Sequence, residues 1–196
     1  MHKREFYSTR YLLRLANRER YSPEDAQAVS EQIRKILGSK ESASHFRIST
    51  QALEFNLFAR DEAELQERIR LLEEHGHKIL STKILDTPPV AIGEAEALSG
   101  GINLFNEERF WESHEVLESI WRVSEGSEKE ALHSLILIAA AFVHFQKGEP
   151  DICLSVLKRA TTRMPMGSSR IPIDFTKLRQ NLDSILNSGR IQLFKI

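Results

Sequence analysis

The spacing of apolar residues changes character near the middle of the chain. In the first 90 residues two periods take turns. Tyr11, Leu13 and Leu15 alternate with Leu12, Arg14 and Ala16, a period of two that suits a strand. Ser22-Pro23-Glu24-Asp25 then reads as a helix start, with Ser22 as N-cap and Pro23 at the first helical position. Ala26, Val29, Ile33 and Ile36 recur at helical spacing, and Gly38 is the stop. Phe46 and Ile48, then Leu53, Phe55, Leu57 and Ala59, return to period two. The break between them at Thr50-Gln51 reads either as a turn joining two strands or as a bulge in one long strand. Asp61 and Glu64 form a capping-box pattern ahead of Leu65, Ile69 and Leu72; Gly76 ends that helix, and residues 79–85 form a last strand.

The predicted fold class is therefore α+β. Strand, helix, strand, strand, helix, strand is the order of a ferredoxin-like βαββαβ domain, placed here at residues 1–85. Two right-handed crossovers put both helices on one sheet face and leave the other open to a partner. Residues 86–92, Asp-Thr-Pro-Pro-Val-Ala-Ile, read as a linker stiffened by its two prolines. From 93 to 196 the alternation gives way to an all-helical bundle of about five helices. The first carries Ala95, Leu98, Ile102 and Phe105 and stops in the polar run 106–109; the second spans 110–123. Ser127 with Glu130 caps the third, apolar through Leu132, Leu135, Ile136, Ala139 and Val143 and closed by Gly148. Pro150 opens the fourth, and Asp174 caps the fifth. Residues 165–172 are loop by composition, and the tail 190–196 alternates, as an added strand or a segment that packs down.

Composition narrows the function. The 27 Lys+Arg and 28 Asp+Glu give a net charge of −1, split as 15 basic and 14 acidic in residues 1–90 and 12 and 14 in the rest. Neither half attracts nucleic acid or an anionic membrane as a polyelectrolyte. The longest apolar run, 135–143, is far short of the ~20 residues a spanning helix needs. One cysteine, Cys153, forms no internal bridge and sits on an apolar face, so it is expected as a buried small hydrophobe in a cytoplasmic protein. The strand 53–60 lacks the basic-glycine-aromatic signature of RNA-recognition modules, and Glu54 is expected on its exposed face opposite Phe55, which disfavours nucleic acid as a partner. A protein partner or self-association is preferred. Gly167-Ser168-Ser169-Arg170 is a weak anion cradle, and Arg159 and Arg163 suit the C-terminal end of the fourth helix.

The chemistry concentrates in residues 110–121, Phe-Trp-Glu-Ser-His-Glu-Val-Leu-Glu-Ser-Ile-Trp. On a helix Phe110, His114, Leu117 and Trp121 share a face, while His114 and Glu118 are one turn apart. Gly101-Ile-Asn-Leu-Phe-Asn106, the Trp-Glu-x-His-Glu motif at 111–115 with Glu118 and Trp121, and the run from Leu132 to His144 resemble domain-of-unknown-function family 309, over about residues 94–188. The resemblance implies a compact helical domain with a polar cluster between helices, its motif residues being Glu112, His114, Glu115, Glu118, Trp121 and His144. His133 and Leu137 depart from the glutamines expected at those positions.

Two readings of the cluster remain. In the preferred one it is a buried His/Glu network that orders the bundle of a non-enzymatic binding module, needing no cofactor. In the other, His114-Glu115-x-x-Glu118 resembles the zinc-protease spacing. His114 and Glu118 then hold a divalent metal, Glu115 is the candidate catalytic base of a hydrolase, and one further histidine joins them. His144 and His133 lie about 16 Å apart along a helix of 1.5 Å rise, so only one, with His144 the motif residue, can converge on His114.

Overall fold

The computed structural model describes residues 8–86, 93–165 and 170–196. It is an α+β protein with a four-stranded antiparallel sheet in the N-terminal part and, among the described residues, seven α-helices, five of them after residue 93. The chain divides into two compact units: Met1–Pro89 with Gln146–Gly148, and Val90–Phe145 with Glu149–Ile196. Most of the residues read as linker, 87–92, lie outside the described residues, as do 167–169 of the anion-cradle motif.

In the first unit β1 (Thr9–Ala16), α1 (Ala26–Ile36), β2 (Ala43–Ile48), β3 (Ala52–Ala59), α2 (Glu62–Glu74) and β4 (Ile79–Ile84) follow one another, and the strands lie in the order β2-β3-β1-β4. The break at Thr50-Gln51 is a turn between two strands: Ser49 N–H donates to the Ala52 carbonyl across it at 2.9 Å. A short 3₁₀ turn, Pro23–Asp25, leads into α1, with the Asp25 carboxylate accepting from the Ser22 backbone at 2.7 Å. Asp61 caps α2 by accepting from Glu64 N–H at 2.9 Å, but the Glu64 carboxylate turns away from the predicted box to accept from Arg60 N–H and Nε. Leu13, Leu15, Phe55 and Leu57 on one sheet face meet Val29, Ile33, Leu65 and Leu72 of the helices in the core of this unit.

The other sheet face differs from expectation. Glu54, read as exposed, is buried, and so are Leu12, Arg47 and Asn56 on the same side, so that face is not open at these positions. The register explains how a carboxylate is tolerated there. Arg14 of β1 and Arg47 of β2 are both paired with Glu54 across the sheet. Their guanidiniums approach its two oxygens at 2.8 and 3.6 Å, and a buried charge survives only when neutralised in this way.

The second unit consists of α3 (Glu94–Asn106), α4 (Phe110–Trp121), α5 (Gly126–Gln146), α6 (Pro150–Arg163) and α7 (Phe175–Ser188). Helix α5 supplies more of its core than any other helix. Leu132, Leu135, Ile138, Ala139, Ala141 and Phe142 are all buried, because a central helix must be apolar almost all round. It begins one residue before Ser127, which therefore lies inside the helix rather than capping it. Asp174 caps α7 as predicted, accepting from Lys177 N–H at 3.0 Å. The end of α6 is met by Arg179 of α7, which donates to the Thr161 and Met164 carbonyls. Arg163 lies in the last turn of α6, as expected, and 3.8 Å from Glu130. The tail 190–196 forms no strand; it packs Ile191, Leu193, Phe194 and Ile196 against the core.

Candidate functional site

Helix α4 owes its position to one close approach. Gly101 of α3 has no side chain, and Leu117 fills the space a Cβ would take. Beside it the buried Ser113 hydroxyl donates to the Gly101 carbonyl at 2.8 Å. The inward residues of α4 are therefore Phe110, Ser113, Leu117 and Ile120, spaced three, four and three. This stripe sets the orientation of every polar residue on the helix.

It also corrects the expected burial of the cluster. His114 and Glu118 lie one position beyond Ser113 and Leu117, about 100° round the helix, and Glu115 lies further out. Their side chains are 28%, 30% and 53% exposed, so they form no closed network inside the bundle. The buried acid is Glu112, held by the Arg109 side chain at 2.8 Å. Burial works against the charge on Arg109, yet the hydrogen bonds and charges of Glu112 and Glu107 outweigh it and hold the guanidinium above its ordinary value.

His114, Glu115 and Glu118 nonetheless converge. One ligand atom from each lies within 4.8 Å of the others, and His114 Nδ1 is 3.5 Å from a Glu115 carboxylate oxygen. A small side-chain rotation would bring three donors of this kind around one cation at about 2.0–2.2 Å. Arg122, one turn on, donates to Glu118 Oε1 at 2.9 Å, and this bond raises its own pKa. That residue was missed in the sequence, although the four-residue spacing from Glu118 could have revealed it.

His144 does not join them. Its Nδ1 lies 2.5 Å from a Glu149 carboxylate oxygen, in the turn before α6. Trp121 is half-buried: its ring lies 5.6 Å from that of His133, with the Lys129 ammonium 5.1 Å from its centroid. Two half-buried stripes emerge from these placements. Trp111, His114, Glu118 and Trp121 form one on α4; His133, Leu137, Ala140 and His144 form the other on α5. Phe110 lies 5.0 Å from Phe142 and Trp121 lies 5.6 Å from His133, so the helices run antiparallel and the two stripes meet at Trp121 and His133.

Residues 98–156 match the family Domain of unknown function (DUF309). The matched segment starts in α3, contains all of α4 and α5 and ends in α6, so both stripes fall inside it. It stops short of the end of the 94–188 span over which the sequence motifs resemble the family. No curated protein and no solved structure gives a significant match to the chain. Among the described residues no helix is long and apolar enough to cross a membrane.

Cys153 is buried in the core, and its thiol is pushed up to about 12 by burial, partly offset by a backbone hydrogen bond involving Phe145. A thiol so protonated is no nucleophile at neutral pH.

Proposed function

We propose that the chain is a binding protein whose helical unit takes a divalent cation at His114, Glu115 and Glu118, on the surface formed by the stripes of α4 and α5. The observation that carries this reading is the convergence of three donor atoms within 4.8 Å on a helix face that solvent reaches. One imidazole with two carboxylates suits zinc, manganese or ferrous iron better than calcium or magnesium, whose sites are built from oxygen. Three protein donors leave positions open for water or for a ligand's own oxygens. The exposed Arg122 bond to Glu118 is readily exchanged for such a cation.

Calorimetric titration of chelator-free, tag-free protein with Zn²⁺ and Mn²⁺ tests the reading. One saturable equivalent per chain is expected, with affinity reduced at least tenfold in Glu118→Ala; no saturable heat for either ion counts against it. A hydrolytic reading keeps His114 and Glu118 as ligands and uses Glu115, the most exposed of the three, as base. Glu115→Gln separates the two. Weakened metal binding makes Glu115 a ligand, whereas unchanged binding leaves it available as a base.

For the remainder of the chain we propose a ferredoxin-like N-terminal domain joined to the helical bundle. The alternation of strands and helices and the sheet order β2-β3-β1-β4 support it. The chain's single cysteine, buried in the helical unit, is compatible with a reducing cytoplasm.

A further inference from the structure

The last seven residues of the helical unit are held like a bound peptide. Helix α7 ends at Gly189, whose left-handed backbone (φ 68°) turns the chain away, and residues 190–196 continue without regular structure. Asn106, the last residue of α3, grips the main chain of Ile196 with both ends of its side chain. Its Oδ1 accepts from Ile196 N–H at 2.8 Å, and its Nδ2 donates to the Ile196 carbonyl at 3.0 Å. These bonds read backbone rather than side chain. Two residues earlier, the Phe194 ring packs edge-on to Phe142 at 5.3 Å and tilted to Phe105 at 6.2 Å. The stretch before this anchor is less tightly seated: a half-open cavity of about 420 Å³ lies between it and α7, bounded by Asn181, Ser184 and Ile185 on one side and Arg190 and Gln192 on the other. Main-chain hydrogen bonds combined with a side-chain pocket are the two contacts by which domains hold extended peptides.

We propose that Asn106, Phe105 and Phe142 form a peptide-binding seat, filled in cis by residues 190–196 and able to take the same segment from a second copy of this chain. The exchange needs no new contact, since the incoming tail remakes the bonds that the resident tail releases, and Gly189 supplies the hinge. Tethering holds the resident tail at an effective concentration in the millimolar range, so the cis form dominates in dilute solution. This proposal is independent of the cation site: it uses neither α4 nor any metal ligand.

The test uses the full-length chain and a fluorescent peptide with the sequence of residues 190–196. Phenylalanine-to-alanine replacement at the anchor (Phe194→Ala) weakens the resident tail and leaves the seat intact. Saturable binding to this variant, at least tenfold tighter than to wild type, is expected, with a loss of at least tenfold on adding Asn106→Ala. Absence of binding to Phe194→Ala, equal binding to wild type, or indifference to Asn106→Ala overturns the proposal. Amide exchange in the unmodified protein gives a check that needs no variant. The Ile196 N–H should exchange through local opening, at least a hundredfold faster than the Leu135 and Phe142 amides of α5. Exchange of Ile196 only at the rate of those core amides overturns it equally.

Discussion

Gly101→Ala probes the contact that orients α4. An alanine on a helix normally gains about 0.8–1.0 kcal/mol over glycine. Here the added Cβ would stand 2.7 Å from Leu117 Cδ2 and 2.9 Å from its Cγ, so about 0.7 Å must be recovered to reach ordinary contact. Leu117 is fully buried in a close-packed interior, so its displacement is resisted. Overpacking of this kind costs about 1–3 kcal/mol. As the helices part to relieve some of that strain, the Ser113 hydroxyl also loses the Gly101 carbonyl, worth about 0.5–1.5 kcal/mol. With both costs opposing the gain in propensity, the net loss should be about 0.5–3.5 kcal/mol. Both tryptophans of the chain, Trp111 and Trp121, sit on α4, so urea unfolding followed by tryptophan fluorescence reports this unit directly. Leu117→Ala alone should cost about 2–5 kcal/mol. The double variant should be at least ~1 kcal/mol more stable than the sum of the two losses, because the new methyl fills part of the cavity. A Gly101→Ala protein as stable as wild type, or strictly additive losses, would refute the close-approach reasoning.

Three further expectations concern other residues. His114→Ala should change stability by less than ~0.5 kcal/mol, since its side chain lies beside the core stripe, whereas Glu112→Ala should cost about 1–3 kcal/mol by leaving Arg109 without its buried partner; fluorescence-detected unfolding compares them, and the reverse ranking would be decisive against this placement. Burial, and secondarily the charge of His75, hold the His77 imidazole below its ordinary 6.5. The unfolded chain therefore takes up that proton first, stability contributed by neutral His77 is present above about pH 6.5 and declines as pH falls below it, and His77→Gln should flatten this part of the stability–pH curve. Cys153 should resist alkylation by iodoacetamide at pH 8 in the folded protein and react once urea exposes it; rapid labelling of the native state would contradict its burial.

Secondary structure was legible where a local signal is self-sufficient. Asp61 and Asp174 cap helices from the positions their spacing implies, and Gly38, Gly76 and Gly148 all adopt the positive φ that ends an element. Facing was harder to read than existence. Phe110, His114, Leu117 and Trp121 do share a broad face, yet the buried line runs through Ser113 and Ile120. Only the missing side chain of Gly101 decides that a small serine, rather than the histidine, faces inward. Glu54 was misplaced for a similar reason. Alternation gives the face of the sheet, but the partners that make a buried carboxylate tolerable come from β1 and β2, 40 and 7 residues away in sequence. Pairing of His144 with Glu149 five residues on, rather than with His114, follows from the turn before α6, which residue periodicity does not describe.

The cation site is tested most directly by titrating metal-free protein with Co²⁺ and recording its visible d–d absorption, in wild type and in His114→Ala. Saturation at one equivalent in wild type, with the spectrum abolished or saturating at least tenfold later in the variant, is the predicted outcome. A wild-type spectrum no different from free aqueous Co²⁺, or one unchanged by loss of the imidazole, would contradict a site at His114, Glu115 and Glu118.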